Sequence, residues 1–143
     1  RFPYSQGMEL PLSRNHPTRP ITFRDLMVWK QSRSLASDIY RLTETPKLRG
    51  HHAYCDQLGR AALSVPSNIA EGDERGTNKE SLRFLLIARG SLSELETQLW
   101  IGQDIGWIEQ DAFRRLSEKR ADVARLLGGL IRMRQQRLKA SEA

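Results

Sequence analysis

The sequence predicts an all-α protein, an antiparallel four-helix bundle in up-down-up-down order. Three observations lead to this fold class. Four segments repeat their apolar residues at steps of three and four, no segment alternates with the period of two typical of strands, and the connections between segments are short. Short connections favour antiparallel neighbours. The 143 residues, 38% of them hydrophobic, suit one domain with its own core.

The chain is expected to divide into three parts. Residues 1–21 are predicted to be a flexible N-terminal arm, because this region is rich in proline and shows no apolar periodicity. Residues 1–7, which precede Met8, are interpreted as a vector-derived remnant. Residues 22–138 are predicted to form the bundle, and residues 139–143 a short tail.

Composition narrows the class of protein. No apolar run approaches the roughly 20 residues that a membrane span needs, and no signal-peptide pattern is present, so no membrane partner is expected. The lone cysteine, Cys55, cannot form an internal disulfide, which favours a reducing, cytoplasmic location. The formal net charge of +6 indicates an acidic partner, most often nucleic acid.

The first helix is predicted over residues 22–44. Thr22 and Asp25 have the spacing of a loose capping box. Apolar residues then recur every seven positions, at Val28, Leu35 and Leu42. Pro46 disfavours helical geometry at the preceding residue and so ends this helix.

The second helix is predicted over residues 51–71. Five residues lie on one of its faces: Tyr54, Leu58, Ala62, Val65 and Ile69. Pro66 lies inside this pattern and removes one backbone hydrogen bond, at a cost of about 3 kcal/mol, so we expect a kink. Asn68 is expected to hydrogen-bond across that kink.

The stretch SVPSNIAEGDERGTNKE, residues 64–80, is either an active-site loop or the turn between two helices. Gly72 is placed to end the second helix in left-handed geometry. Thr77 and Glu80 have the spacing of a full capping box that begins the next helix. Together these residues favour the turn.

Glu71 lies near the end of the second predicted helix, where the helix dipole disfavours an acid. We therefore expect a specific partner, either Arg75 or a basic residue from another helix or subunit. The alternative is a catalytic dyad with Glu94 or Glu96, should the second and third helices pack side by side. The ion pair is favoured, and no catalytic residue is assigned.

The third helix is predicted over residues 77–104 and ends at Gly106. Its main face comprises Phe84, Ala88, Ser91, Leu92, Leu95 and Leu99. The fourth helix is predicted to begin near residues 109–111, with Asp111 as its cap, and to run to about residue 137.

Two helices carry a second apolar line outside the core stripe. The six residues are Trp29, Ala36 and Tyr40 on the first helix, and Leu82, Leu86 and Trp100 on the third. Either the core stripe is wide, or these are scattered apolar residues of the surface, or they form a subunit interface. Large apolar residues are seldom left in water as a contiguous patch, and both lines contain aromatics, which favours the interface.

The basic excess is concentrated in the last predicted helix. Residues 112–140 carry nine basic and two acidic residues, a net charge of +7. Four of them align on one side, opposite the apolar face, and form what we term the basic stripe: Arg114, Arg125, Arg132 and Lys139. Arg115 and Arg137 are further candidates. A charged face is often only solvated, but aligned cations also suit a phosphate backbone, through contacts with little sequence specificity.

Patterns for metal or cofactor chemistry are missing from the sequence. The three histidines are His16 in the arm and the adjacent pair His51 and His52, which cannot share a helical face. The Glu-x-x-His pattern of di-iron bundles, zinc-type Cys/His spacing, and the phosphate-binding, dinucleotide-binding and nucleophile-elbow motifs do not occur. We therefore expect no metal, no cofactor and no enzymatic activity.

Three segments carry a resemblance to a known family. They are FRDLMVWKQSRSLASDIY (23–40), residues 57–99 with NIAEG and GSLSELETQL, and GWI (106–108). Over roughly residues 22–135 the chain resembles the four-helix-bundle proteins encoded inside intervening sequences of bacterial large-subunit ribosomal RNA genes. More distantly, it resembles the accessory protein of diversity-generating retroelements, a basic ring of bundles that works with a reverse transcriptase and RNA.

The resemblance implies a ring, typically of five subunits, and favours RNA as the partner. It implies no catalytic residues. This sequence departs from the family pattern at two positions: Thr45 replaces the usual aromatic before Pro46, and Gly59 stands where an arginine is common. One basic position of the second helix is therefore expected to be missing.

These observations predict a non-enzymatic homopentamer that binds nucleic acid, RNA rather than DNA, through the last helix. The predicted contacts are Arg114, Arg115, Arg125, Arg132, Arg137 and Lys139. The alternative is a protein-interaction scaffold, an accessory subunit for a nucleic-acid enzyme such as a reverse transcriptase. An enzyme that uses Asn68 and Glu71 is the least supported interpretation.

Overall fold

The computed structural model describes residues 21–142. It contains one short 3₁₀ turn and four α-helices: the turn Phe23–Asp25, α1 Met27–Thr43, α2 His52–Glu74, α3 Asn78–Asp104 and α4 Gln110–Glu142. Within residues 21–142 no strand occurs, and the prediction of an all-α bundle of four helices is confirmed. The predicted arm, apart from Ile21, lies outside the described residues.

Each helix packs against two others. The α2 helix lies between α1 and α3, and α4 packs on α3 and closes the bundle against α1. Across α2 and α3, hydrogen bonds join Tyr54 to Gln98 and Ser64 to Ser91, so residue numbers rise along one helix as they fall along the other. The four facing stripes thereby enclose one core.

Aliphatic side chains fill that core, and all four helices contribute some that have almost no exposed surface. Examples are Leu35, Ile39, Leu58, Ile69, Leu85, Leu95, Leu116 and Leu127. The two end connections close it with Leu48, between α1 and α2, and Ile108, between α3 and α4. Burial of apolar surface stabilises by roughly 25 cal/mol per Å², so this core sets how each helix is rotated about its own axis.

The first helix begins later, and the last ends later, than the sequence predicted. The Thr22 N–H donates to the Asp25 carboxylate at 2.9 Å, but this contact closes the 3₁₀ turn. Leu26 is extended, and α1 begins only at Met27. At the other end, α4 continues past residue 137 to Glu142, so most of the predicted tail is helical. The added residues include good helix formers and neither glycine nor proline to stop the helix.

Pro66 lies buried inside α2, and the helix continues beyond it. The Asn68 side chain spans the proline, as predicted: its Nδ2 donates to the Ser64 backbone carbonyl at 2.8 Å and to Ser64 Oγ at 2.9 Å. The Ser91 hydroxyl of α3 donates to the same Ser64 hydroxyl at 2.8 Å. The network therefore satisfies polar groups around the proline and also joins α2 to α3.

Gly72 does not end α2, because the helix runs on to Glu74. A Cβ at Gly72 would lie 3.1 Å from the Ser81 carbonyl oxygen and 3.3 Å from Phe84 Cβ, both on α3. The predicted helix stop is therefore wrong. Glycine is needed here for close packing of two helices, and not for left-handed geometry.

The ends of α3 and the start of α4 follow the prediction, but the predicted cap of α4 does not. Thr77 is the N-cap of α3, and its Oγ1 accepts from the Glu80 N–H at 3.2 Å. After α3, Gly106 has a φ of +80°, the left-handed conformation that glycine adopts without Cβ strain. Asp111 is not a cap, since α4 already begins at Gln110.

Candidate nucleic-acid interface

The nine basic residues of α4 fall into two groups. Three of them reach acids on other parts of the bundle: Lys119, Arg120 and Arg134. The Lys119 ammonium lies 2.5 Å from an Asp38 carboxylate oxygen of α1. The Arg120 guanidinium lies 3.2 Å from Glu96 of α3. These contacts tie α4 to both of its neighbours.

Arg134 makes the corresponding contact at the other end of α4. Its side chain is only 16% exposed, donates to the Asn78 side-chain oxygen at 3.2 Å and lies 3.6 Å from Asp73. A cation withdrawn from water needs such partners, because lost hydration has to be offset. The charge of all three residues is thus neutralised within the fold.

The other six basic residues of α4 are exposed: Arg114, Arg115, Arg125, Arg132, Arg137 and Lys139. They are the six that the sequence predicted as nucleic-acid contacts. Arg114 pairs with Asp111 at 3.2 Å, and Arg125 pairs with Asp122 at 2.9 Å, each within one turn of the helix. Exposed pairs of this kind contribute about 0–1 kcal/mol, so a phosphate can compete for either arginine.

Two glycines lie within the basic stripe. Gly128 and Gly129 sit between Arg125 and Arg132 in the middle of α4. A Cβ at either position would approach only the Arg132 guanidinium, at 3.3 and 3.8 Å respectively. Neither glycine is required by packing inside the chain, although each costs about 1 kcal/mol relative to alanine within a helix. Both glycines are half-buried, and the Arg132 guanidinium lies beside them. Sequence reasoning did not single out this pair, although two adjacent glycines inside a helical pattern are a signal that can be recognised.

The structure separates the second apolar line, which the sequence predicted as a subunit interface, into buried and exposed residues. Ala36 and Leu82 are only 6% and 8% exposed and belong to the core of the chain itself, so their assignment to an interface is wrong. Each helix of the bundle contacts two neighbours, which widens the buried arc beyond a single stripe. Trp29 is half-buried and packs edge-on against Phe23 at 5.2 Å between ring centroids.

The remaining three members of that line, Tyr40, Leu86 and Trp100, are 40–51% exposed. The structure adds three isoleucines that the sequence did not single out, two on α3 and one at its C-cap. Together with Leu86 they form what we term the outer face of α3: Leu86, Ile87, Ile101 and Ile105, each 40–52% exposed. Leu86 and Ile87 form one pair on this face, and Ile101 and Ile105 form a second pair further along it. Exposed apolar residues of this size are typical of surfaces that contact a partner.

The carboxylates considered for a catalytic dyad have separate partners. Glu71 pairs with Arg75 at 3.0 Å, as the sequence predicted. Glu96 pairs with Arg120, while Glu94 accepts a hydrogen bond from Gln98 at 3.3 Å. The arrangement is one of ion pairs and amide contacts, which serve helix packing and solubility.

Within residues 21–142, no cluster of three or more His, Cys, Asp or Glu side chains could hold a metal ion. The His51 ring stacks on Trp107 with centroids 3.7 Å apart, while His52 is exposed at the start of α2. In the same part of the chain, no helix combines the length and the apolar character that crossing a membrane requires.

Two weakly acidic groups near the bundle end are held neutral. The Tyr54 hydroxyl donates to the Gln98 carbonyl, and burial raises the pKa of Tyr54 to about 12. Burial likewise raises the pKa of the Cys55 thiol, which donates to the Leu48 carbonyl at 3.2 Å. Both groups are protonated at neutral pH and lack the activation that a nucleophile needs.

Comparison with known proteins identifies a family and a similar solved structure. The sequence profile of a family described as 23S rRNA-intervening sequence protein matches residues 24–129. A solved structure from Bacteroides thetaiotaomicron, described as a protein with unknown function from the S23 ribosomal protein family, has a TM-score of 0.68. The two chains are 20% identical over 73% of this chain and 97% of that one, a likeness that shows the fold alone. No match is found among curated proteins.

Proposed function

The chain belongs to the 23S rRNA-intervening sequence protein family, and from that premise we propose that it is a non-enzymatic, cytoplasmic homo-oligomer that binds nucleic acid through α4. RNA is favoured over DNA because the family is associated with ribosomal RNA genes. The oligomer is a homopentamer, as the resemblance to ring-forming bundles implies. The exposed outer face of α3 supports an assembly of this kind.

One observation carries the proposal. Of nine basic residues on α4, the fold neutralises three through other helices and leaves six in solvent. Four of these six form the basic stripe along the side of α4 that faces away from the core. Cations that only kept the protein soluble would not need this alignment. A stripe repeated around a ring would also add its field to that of its neighbours.

Binding should depend steeply on salt. Each phosphate that a cation neutralises on single-stranded RNA contributes a slope of about −0.7 to log K against log salt, so the four stripe residues predict about −3 per engaged subunit. Fluorescence anisotropy with an unstructured, labelled RNA 12-mer, from about 50 to 400 mM salt, measures this slope. The protein must first be freed of copurified nucleic acid.

A shallow slope would contradict the proposal, and so would the absence of binding at the lowest salt. In either case the stripe would be a solvated face. Comparison of the same sequence as RNA and as DNA then tests the preference for RNA, which rests on the family association and not on a contact that reads the 2′-hydroxyl.

We expect Leu86→Glu to dissociate the oligomer, because it places a charge at the outer face of α3. Light scattering coupled to gel filtration would show subunits of single-chain mass. Met27→Glu is the matched control, since Met27 is 56% exposed on α1, away from that face, and should leave the assembly intact. Retention of the full oligomer by the Leu86 variant would place the subunit contact elsewhere.

The alternative function is a scaffold for a nucleic-acid enzyme such as a reverse transcriptase. The specific observation in its favour is the same outer face of α3, which could hold another protein in place of a second copy. A protein that is already monomeric before Leu86 is changed, and that binds no RNA at low salt, would favour this scaffold.

A further inference from the structure

An open groove of about 530 Å³ lies where the end of α3 meets the beginning of α4. Trp100 and Phe113 form its apolar part, while Gln103, Gln110, Arg114 and Glu118 supply polar groups. Leu86 of the outer face lies fourteen residues before Trp100, roughly 21 Å away along the axis of α3, and Ile101 lies on a different side of the helix. Successive helical residues are 100° apart, so Trp100 turns toward α4 whereas Ile101 turns toward solvent on the other side.

Trp100 offers a flat aromatic surface in this groove. Its ring meets the Phe113 ring at 63°, with centroids 4.8 Å apart, and the tryptophan is still 51% exposed. One side of the indole is therefore held by the protein, and much of the rest is in water. An indole fixed in this manner loses little further freedom when a second flat ring stacks on it, which favours binding.

The polar groups around Trp100 are able to contact the edge of a base. The side chains of Gln103 and Gln110 make no hydrogen bond within the described part of the chain, and each carries both a donor and an acceptor. Glu118 adds an acceptor for base amino and imino groups. Single-stranded RNA is recognised in this manner, by stacking on aromatic side chains and hydrogen bonds to base edges.

Arg114 connects the groove to the basic stripe, of which it is the first member. Its only acidic partner among the described residues is Asp111, in an exposed pair that a phosphate can displace. Arg125 follows eleven residues later, roughly 16 Å further along the helix axis. A strand whose base lies on Trp100 can therefore place one phosphate at Arg114 and continue along α4.

We propose that this groove is a base-stacking subsite for single-stranded RNA, with one unpaired base on Trp100 and its phosphate on Arg114. The inference rests on the proposed function and adds a contact that depends on the base and not on charge. A second copy of the chain is a poorer occupant, because an apolar helix face would leave the amides, the arginine and the glutamate unpartnered.

The test compares a 12-mer RNA with an abasic oligomer of equal length, which carries the phosphates without the bases. Wild-type protein should bind the RNA more tightly. Trp100→Ala should weaken RNA binding roughly tenfold, within the range for loss of one base–aromatic stack, and leave abasic binding and the salt slope unchanged. Trp100→Phe should recover most of the affinity. Tyr40→Ala is the control, since it removes a similarly exposed aromatic from another face.

Intrinsic tryptophan fluorescence provides a second measurement, which RNA would not change if Trp100 only packed against Phe113. Stacking of a base should quench the emission of Trp100, and the quenching should disappear in Trp100→Phe, in which Trp29 and Trp107 remain. If thermal melts show that Trp100→Ala is unstable, the loss of quenching in Trp100→Phe tests the proposal in its place.

Three results would overturn the subsite. Equal binding of RNA and abasic oligomer, with no effect of Trp100→Ala, would remove the subsite and leave the proposed function standing. Binding of neither oligomer at low salt would remove both. Dissociation of the subunits by Trp100→Ala, with unchanged RNA affinity per chain, would assign Trp100 to a subunit contact.

Discussion

Gly102→Ala should lower the free energy of unfolding by about 2 kcal/mol, because α3 has no space for a methyl group at this position. A Cβ there would lie 2.5 Å from Ile108 Cδ1 and 2.9 Å from Ile108 Cγ1, and would also meet the Tyr54 hydroxyl. Ile108 is buried in the α3–α4 connection and cannot move away without disturbing the end of the bundle. Overpacking of this kind typically costs about 1–3 kcal/mol, more than the helix gains from alanine.

Gly90→Ala is the matched control for this substitution. Gly90 lies in the same helix, and a Cβ there meets no atom of its own chain within 4 Å. Alanine should therefore raise the free energy of unfolding by about 0.5–1 kcal/mol. Urea unfolding at one fixed protein concentration compares the two variants, since an oligomer unfolds in a concentration-dependent manner. Equal effects of the same sign would show that the close packing at Gly102 has been misjudged.

Arg125→Glu with Arg132→Glu should weaken RNA binding by on the order of a hundredfold at about 50 mM salt. The two substitutions remove two of the proposed phosphate contacts from the centre of the basic stripe and replace them with repulsion. The slope of log K against log salt should become shallower by about 1.4, which is 0.7 for each lost contact. Both side chains are exposed, and neither ties helices together, so the fold should be retained.

Arg60→Glu with Arg89→Glu provides the comparison. These arginines are exposed on α2 and α3 and have no acidic partner within residues 21–142. The net charge changes by the same amount, but the stripe is preserved. If both double variants weaken binding equally, the effect comes from overall charge and the stripe is not the contact surface. Anisotropy, together with the oligomeric mass of each variant, separates a lost contact from a lost assembly.

Much of the fold was predictable because the signals that indicate a helix lie within a short stretch of sequence. The spacing of Tyr54, Leu58 and Val65 alone predicts the buried face of α2, and Leu58 and Val65 are fully buried. Gly106 and Thr77 were assigned correctly, since a left-handed residue and an N-cap depend on a few neighbouring backbone groups. The end of α4 was less predictable, because good helix formers continue past the last core contact.

Three of the roles that sequence reasoning assigned wrongly involve a second helix. Gly72 resembles a helix stop in the sequence, yet the Ser81 carbonyl and Phe84 on α3 are what require a glycine there. Ala36 and Leu82 lie outside a single stripe, but their neighbours on both sides bury them. Contacts between helices depend on how each helix is rotated about its axis, and core packing sets that rotation.

The same division holds for the candidate interface. Composition and periodicity were enough to establish that α4 is basic and that one side of it carries an aligned row of cations. Three of the nine cations are paired with Asp38, Glu96 and Asp73, and these pairs decide which cations remain exposed to solvent. All three acids lie on other helices, and two of them are more than 60 positions away in the sequence. An ion pair forms between groups a few ångströms apart in space, and that proximity arises only when the four helices pack together.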